Sequence, residues 1–112
     1  MPPTTAADPI LKRFRAALDE IYGDRLERVV LYGSRARGTA HKDSDYDVAV
    51  FLKDLRNGDA VSWRELYRLA DLGTEILHET GELVNAMPYR AGSYNDERIP
   101  LMHEIRADGI DL

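Results

Sequence analysis

The chain has 112 residues, 44% hydrophobic and 31% charged, as is typical of one globular domain with a modest core. Its net charge of −5 argues against direct binding of long nucleic acids, and its lack of cysteine excludes disulfides and thiolate metal sites. It contains no apolar run of membrane-spanning length and no signal-peptide pattern. We therefore expect a cytoplasmic protein with one domain over residues 1–112.

The first half of the chain is predicted to form a helix and two strands after a flexible arm at residues 1–7. Asp8-Pro9 is typical of a helix start, and Gly23 is placed to end that helix. Residues 28–32 form an apolar strand, and residues 45–52 form a second strand with alternating faces. One face carries Tyr46, Val48, Val50 and Leu52, and the other carries Asp45, Asp47, Ala49 and Phe51.

A longer second helix is predicted from the capping box Ser62-x-x-Glu65 to about Thr80, after a turn-rich segment, 53–59, that contains Asn57-Gly58. Two adjoining apolar arcs cover more than half of its circumference: Trp63, Leu66, Tyr67, Ala70 and Leu77 form one, and Leu69, Leu72 and Ile76 form the other. Either Arg and Glu stems and a terminal segment cover the second arc, or that arc meets another protein. We predict a partner interface at the second arc and a close helix approach at Gly73.

The last third of the chain is predicted to hold one strand and one helix. Residues 82–89 form the strand, in which Pro88 indicates a position near a sheet edge. The helix begins at Asp96 or Pro100 and ends at Asp108, and residues 110–112 are a tail. The elements together predict an α/β fold: a small mixed β-sheet with helices packed on one face and the two aspartates on the other.

The residues around the first two strands predict a site for a metal ion and a phosphate. Gly33-Ser34 directly follows the first strand, where glycine lets the backbone approach a ligand and the turn offers free N–H groups to an anion. Asp45 and Asp47 share one strand face and repel each other unless a cation lies between them. Mg²⁺ suits such carboxylates, since it commonly completes its shell with water and phosphate oxygens.

The order Gly-Ser, ten residues, then Asp-x-Asp resembles the minimal nucleotidyltransferases, the smallest branch of the DNA polymerase beta superfamily. Gly33-Ser34 matches its glycine-serine pair, Arg37-Gly38 its arginine-glycine step, and Ser44-Asp45-x-Asp47 its metal-binding strand. The match is most specific over residues 29–52, and weaker similarity extends through Leu112. The resemblance implies a polymerase beta-like nucleotidyltransferase fold.

The resemblance also assigns roles to individual residues. It implies that Asp45 and Asp47 bind Mg²⁺ and, with Ser34, form the catalytic centre, and that Gly33, Ser34, Arg37 and Ser44 bind the nucleotide, ATP. Arg35 and Lys42 are weaker candidates for nucleotide contacts. Enzymes of this superfamily usually carry a third carboxylate on the third strand, where the aligned residue here is Asn85. An amide can bind a metal through its oxygen but cannot accept a proton. Glu82 is the nearest carboxylate, but it is three residues before Asn85 and should therefore lie on the opposite face of the strand.

For function, the resemblance implies an antitoxin that binds a HEPN-family toxin and transfers AMP from ATP to one of its tyrosines. A phenol suits a site without a third carboxylate, because its pKa of about 10 makes it easier to ionise than a ribose hydroxyl. Two alternatives remain open: an antitoxin that acts by binding and occlusion with a weakened site, and a small-molecule nucleotidyltransferase of the aminoglycoside-modifying type. The number of nucleotides transferred and the oligomeric state are not determined by the sequence.

Overall fold

The computed structural model describes residues 7–41, 43–55 and 63–112. Within these residues the helices are α1 (Pro9–Tyr22), α2 (Ser34–Arg37), α3 (Trp63–Thr80) and α4 (Pro100–Asp108), and the strands are β1 (Leu26–Tyr32), β2 (Tyr46–Leu52), β3 (Val84–Arg90) and β4 (Ile110–Asp111). The strands form one mixed sheet in the order β3-β2-β1-β4. β1 runs antiparallel to β2 and β4, and β2 runs parallel to β3. The predicted α/β class with a small mixed sheet is confirmed.

Asp8 joins the start of α1 to the second strand. Its Oδ1 atom accepts hydrogen bonds from the backbone N–H groups of Ile10 and Leu11, at 2.8 and 3.4 Å, as expected for an N-cap before a proline. Its Oδ2 atom accepts a hydrogen bond of 2.9 Å from the hydroxyl of Tyr46. The predicted helix start is confirmed, and the cap also fixes α1 against the first residue of β2.

One face of the sheet forms the main core with α1 and α3. Tyr46, Val48, Val50 and Leu52 are buried on this face, as the alternation of β2 predicts. α1 contributes its buried residues Leu11, Phe14, Leu18 and Tyr22. At Gly73 an added Cβ would collide with the backbone carbonyl oxygen of Val84, so the missing side chain lets α3 lie against β3. The close approach predicted for Gly73 is confirmed.

The partner interface predicted at Leu69, Leu72 and Ile76 is wrong. These side chains are 0%, 5% and 0% exposed, and they pack in the main core between α3 and the sheet. The other arc faces solvent, with Trp63 70% and Tyr67 65% exposed. Because both arcs are apolar, hydrophobicity alone does not determine which of them is buried against the sheet. The arc with aliphatic side chains fits against the sheet, and the arc with the large aromatic rings remains outside.

The opposite face of the sheet is partly covered by α4. Met102 and Ile105 of α4 pack on Val30, Ala49 and Phe51 in a second cluster, so the expectation that all helices lie on one face is wrong for α4. The predicted tail is also wrong in part, because Ile110 and Asp111 form β4. This strand pairs with Leu31 and Val30 of β1, and the Leu112 N–H donates to the Val29 carbonyl. A two-residue strand is too short to show a periodic pattern.

Several predictions fall on residues outside those described: most of the arm at residues 1–7, the Asn57-Gly58 turn, Ser62 of the capping box, and Lys42.

β3 lies at one edge of the sheet, as Pro88 predicted, but it begins at Val84 instead of Glu82. No helix among the described residues has the length and apolar character needed to cross a membrane.

Candidate active site

Gly33 lies directly against Asp47. Its backbone has φ +76°, a region that favours glycine, and a Cβ added to it would lie 2.7 Å from the Asp47 Oδ2 atom. β1 and β2 pair so that Tyr32 is opposite Asp47, which brings the turn after β1 beside the start of β2. Glycine therefore suits position 33 for two reasons: it adopts the positive φ readily, and it leaves room for the Asp47 carboxylate where it lies.

The glycine turn leads into the short helix α2. The Arg37 N–H donates to the Gly33 carbonyl at 3.0 Å, so the earlier N–H groups of the helix lie in its first turn, where no intrahelical acceptor exists. Gly38, with φ +79°, ends the helix, and the Thr39 N–H donates to the Ser34 carbonyl at 3.0 Å. Ser34, which is half-buried, begins this turn next to the glycine that contacts Asp47.

The two aspartates are close enough to influence each other's ionisation. Asp45 is exposed just before β2, and Asp47 is half-buried within it. Burial raises the pKa of the Asp47 carboxyl above its ordinary value, and the charge of Asp45 raises it further. The amide of Asn85, which donates a hydrogen bond to it, and the charge of Arg37 lower that pKa. A divalent cation between the carboxylates would relieve their repulsion.

Asn85 lies where a third ligand would be expected. The parallel register of β2 and β3 places it directly opposite Asp47, and its side chain is exposed. Glu82 cannot replace it, because the Glu82 Oε2 atom pairs with Arg35 Nη2 at 3.3 Å before β3 begins. Among the described residues, no group of three His, Cys, Asp or Glu side chains could hold a metal ion. The protein thus offers two carboxylates and one neutral amide.

Arg35 and Arg37 have different environments. Arg35 is 4% exposed and lies 4.0 Å above the Tyr46 ring, and its guanidinium donates to the Ser44 carbonyl at 2.9 and 2.6 Å. Arg37 has a side chain that is 48% exposed and pairs with Asp108 Oδ2 at 3.2 Å. Arg35 therefore holds the loop before Asp45, whereas Arg37, the more exposed of the two, pairs with Asp108 and lies near enough to Asp47 for its charge to lower that carboxyl's pKa.

Ser44 contributes to the loop through both its carbonyl and its hydroxyl. The carbonyl accepts the bonds from Arg35, and the Oγ atom accepts a hydrogen bond of 3.1 Å from the His41 N–H. The Ser44 N–H in turn donates to the His41 carbonyl at 3.0 Å. Ser44 thus lies beside Asp45, as expected of a site residue, but its hydroxyl already takes part in a turn.

Comparison with known proteins agrees with this geometry. The family model described as "Nucleotidyltransferase domain" matches residues 11–97, a range that includes both aspartates and the glycine turn. The chain belongs to the nucleotidyltransferase-domain family. The resemblance to nucleotidyltransferases that the Gly-Ser and Asp-x-Asp motifs indicated is therefore confirmed.

Two curated relatives of this nucleotidyltransferase domain come from Methanocaldococcus jannaschii. "Putative protein adenylyltransferase MJ0141" is 41% identical over 46 residues, which cover 41% of this chain and 46% of that protein. "Putative protein adenylyltransferase MJ0604" is 31% identical over 77 residues, 69% of this chain and 67% of that protein. The matches thus span about half and about two thirds of the lengths of these relatives.

Solved structures share the fold. A toxin-antitoxin crystallised with AMP-PNP has a TM-score of 0.59 at 18% identity, covering 89% of this chain and 70% of that one. A structure described as a putative nucleotidyltransferase from Sulfolobus solfataricus has a TM-score of 0.55 at 19% identity, covering 91% of this chain and 75% of that one. At this identity the likeness establishes the fold, and the mixed α/β nucleotidyltransferase fold expected from the sequence is confirmed.

The donor set of the nucleotidyltransferase domain suits a magnesium ion that is bound together with a nucleotide. Asp45 and Asp47 supply two carboxylates, and Asn85, opposite Asp47, supplies an amide oxygen. Mg²⁺ commonly takes one or two protein carboxylates and completes its shell with water and phosphate oxygens, so these residues fit it. The sequence predicts Asp45 and Asp47 on one face of the strand, and in the structure Asp47 lies opposite Asn85 and close enough to Asp45 for that charge to raise its pKa.

The structural role of Arg35 was the main feature that sequence analysis missed. Residues two apart on a helix lie about 200° around its axis, so Arg35 and Arg37 were bound to point to different sides of α2. That spacing was a usable signal, although it does not say which of the two arginines is buried. The structure resolves this, since Arg35 is the one that stacks on the core residue Tyr46.

Proposed function

We propose that this nucleotidyltransferase domain is a Mg²⁺-dependent antitoxin that transfers AMP from ATP to a tyrosine hydroxyl of a HEPN-family toxin. The observation that carries the proposal is the contact of Gly33 with Asp47, which puts the glycine-serine turn, suited to a phosphate, beside the two aspartates, suited to a metal ion. Relatives named as protein adenylyltransferases support a protein acceptor. Toxin-antitoxin structures with the same fold, one of them with AMP-PNP, support a toxin as that acceptor.

In the proposed reaction, the tyrosine oxygen attacks the α-phosphorus of ATP in line with the departing pyrophosphate. The new bond joins that oxygen to the α-phosphorus, the bond from the α-phosphorus to the bridging oxygen breaks, and the phenolic proton passes to solvent. Mg²⁺ held by Asp45 and Asp47 would neutralise the charge that develops on the phosphates. The first turn of α2, with Gly33 and Ser34, would hold the phosphates, and Arg37 would add a positive charge.

Asn85 favours a phenol as the acceptor. An amide next to Asp47 cannot remove a proton from the attacking hydroxyl. A tyrosine, with an ordinary pKa of about 10, needs less assistance than an aliphatic hydroxyl. We further propose that the domain works in the cytoplasm, where ATP and the toxin would be available.

The decisive experiment is the intact mass of a HEPN-family protein encoded beside this chain, after incubation with the chain, MgCl₂ and each nucleoside triphosphate in turn. We expect a gain of one or more AMP units with ATP. Asp45→Asn and Asp47→Asn should each abolish the gain, and tyrosine should carry the label in fragment spectra. A stable complex with no change in mass would contradict transfer.

The second candidate is an antitoxin that acts by occlusion. The observation in its favour is Asn85 itself, which leaves the site one carboxylate short of the expected set. Toxin neutralisation separates the two candidates. The variant Asp45→Asn, Asp47→Asn should still neutralise the toxin if the chain acts by occlusion, and should fail if it acts by transfer.

A further inference from the structure

The outward face of α3 carries two large aromatic side chains in solvent. Trp63 is 70% and Tyr67 65% exposed, and their ring centroids lie 6.2 Å apart. Ala70 and Thr74 continue this face toward the end of the helix, because residues three or four apart lie on the same side. We call these four residues the α3 stripe. It is bulky at Trp63 and Tyr67 and small at Ala70 and Thr74, and Leu77, which is 37% exposed, follows it one turn further along the helix.

Two charges flank the stripe on one side. Arg64 and Asp71 are two helical turns apart and therefore lie on the same flank, one beside Trp63 and the other beside Ala70. Both are exposed, and neither forms an ion pair within the described part of the chain. Nearby charges differ, since Arg68 lies 3.7 Å from Glu65 and Glu75 pairs with Arg13. Among the described residues, the stripe thus has an unpaired positive charge beside Trp63 and an unpaired negative charge beside Ala70.

We propose that α3 pairs with α3 of a second copy of this chain, antiparallel and about a two-fold axis near Tyr67. Trp63 of each copy would then lie over Ala70 and Thr74 of the other. Arg64 of each copy would face Asp71 of the other, so the same ion pair forms twice. A two-fold interface must be complementary to itself, and the α3 stripe meets this requirement in both shape and charge. A parallel arrangement would instead oppose Trp63 to Trp63 and would place the charged flanks of the two copies on opposite sides of the interface, so neither ion pair would form.

The pairing is independent of the proposed transfer reaction. α3 packs on the sheet face that carries Tyr46 and Val48, whereas Asp47 is opposite Asn85 on the face shared with α4. A dimer through α3 would therefore leave both nucleotide sites open. Loss of the dimer and loss of transfer activity are separate results.

Trp63 provides the probe, since it is the only tryptophan of the chain. We expect sedimentation velocity to show a concentration-dependent dimer, and tryptophan emission to shift to longer wavelength when the dimer is diluted. Arg64→Asp and Asp71→Arg each place like charges opposite one another at both contacts, and each should weaken self-association at least about tenfold. A 1:1 mixture of the two variants should restore association, because the mixed dimer regains both opposite-charge contacts.

A charge reversal away from the stripe is the control. Glu97→Arg, at an exposed position between β3 and α4, should leave the dissociation constant unchanged. A wild-type chain that is monomeric at its highest soluble concentration would overturn the proposal, as would a mixture of variants that does not associate. If Trp63→Ser abolishes binding to a HEPN-family toxin while the wild-type chain alone is monomeric, the stripe belongs to that complex and the homodimer is refuted.

Discussion

Gly33, just after β1, lies against Asp47 of β2, and a Cβ added to Gly33 would lie only 2.7 Å from the Asp47 Oδ2 atom. Gly33→Ala should therefore push the Asp47 carboxylate out of place and reduce Mg-ATP affinity at least tenfold, by about 1.4 kcal/mol or more of binding free energy. The positive φ should also cost about 1 kcal/mol of folding stability. Calorimetric titration with Mg-ATP and urea unfolding measure the two effects.

Gly38→Ala is the matched control for that substitution. Gly38 also has a positive φ, +79°, but a Cβ there would meet nothing within 4 Å. It should lose about the same folding stability while retaining Mg-ATP affinity. Equal losses of affinity in the two variants would show that backbone strain, and not the contact with Asp47, explains the requirement for glycine.

Asn85→Asp should convert the site into one with three carboxylates. Without metal, the new charge beside Asp47 replaces a hydrogen-bond donor by a repelling group, so the free energy of unfolding should fall by about 1 kcal/mol. With Mg²⁺, affinity for the ion should rise about tenfold and the stability should be regained. Thermal unfolding with and without MgCl₂ measures both effects, and Asn85→Ala should show no gain with Mg²⁺.

Substitutions of Arg35 and Arg37 should have different effects, the first mainly on folding stability and the second mainly on activity. Arg35→Met removes a buried cation that holds the Ser44 carbonyl and pairs with Glu82, so the free energy of unfolding should fall by about 2 to 4 kcal/mol. Arg37→Met removes an exposed ion pair and should cost less than about 0.5 kcal/mol. In the proposed reaction Arg37→Met should nevertheless slow transfer, measured as initial rate. Equal destabilisation by the two substitutions would contradict these assignments.

Tyr46 should make the fold sensitive to alkaline pH. Burial, and then its hydrogen bond to Asp8, raises the pKa of its hydroxyl to about 12, against about 10 in an unfolded chain. The folded state thus favours the neutral phenol, and this stabilisation is complete below pH 10 and is lost as the pH rises to 12. The slope should reach at most about 1.4 kcal/mol per pH unit for this one group.

Urea unfolding between pH 8 and 12 tests the contribution of Tyr46. Tyr46→Phe should unfold more easily at pH 8, because it loses the bond to Asp8, but its stability should fall less steeply above pH 10. Tyr67→Phe, at an exposed position, should follow the wild-type pH dependence. The steep dependence would not disappear completely in Tyr46→Phe, since burial also raises the pKa of Tyr32 to about 12.

The candidate site was largely predictable because short stretches of sequence, each within one strand or turn, mark its residues. The alternation of β2 put Asp45 and Asp47 on one face, and the glycine-serine turn marked the end of β1. Asn85 could be predicted in the same way, because side chains alternate between the faces of β3 and because Asn85 aligns with the position of the third carboxylate. These inferences need only the period of a strand and the conformational freedom of glycine.

The errors arose where tertiary packing makes the choice. α3 has two apolar arcs, and which one is buried depends on the shape of the sheet beneath Leu69 and Ile76. β4 forms because β1 offers backbone partners to Ile110 and Asp111, which no local pattern of two residues reveals. The burial of Arg35 depends on a distant acceptor and on an aromatic ring of another element.

The order of the strands also implies that the two contacts of Asp47, with Gly33 and with Asn85, form at different stages of folding. Gly33 and Asp47 meet across the antiparallel pair β1 and β2, which one short connection closes, whereas Asn85 reaches Asp47 only after the chain has crossed through α3 to the parallel edge strand β3. Closing the shorter loop costs less chain entropy, so we expect the glycine-aspartate contact to form first. Local opening of the β3 edge would then release Asn85 and leave the contact between Gly33 and Asp47 assembled.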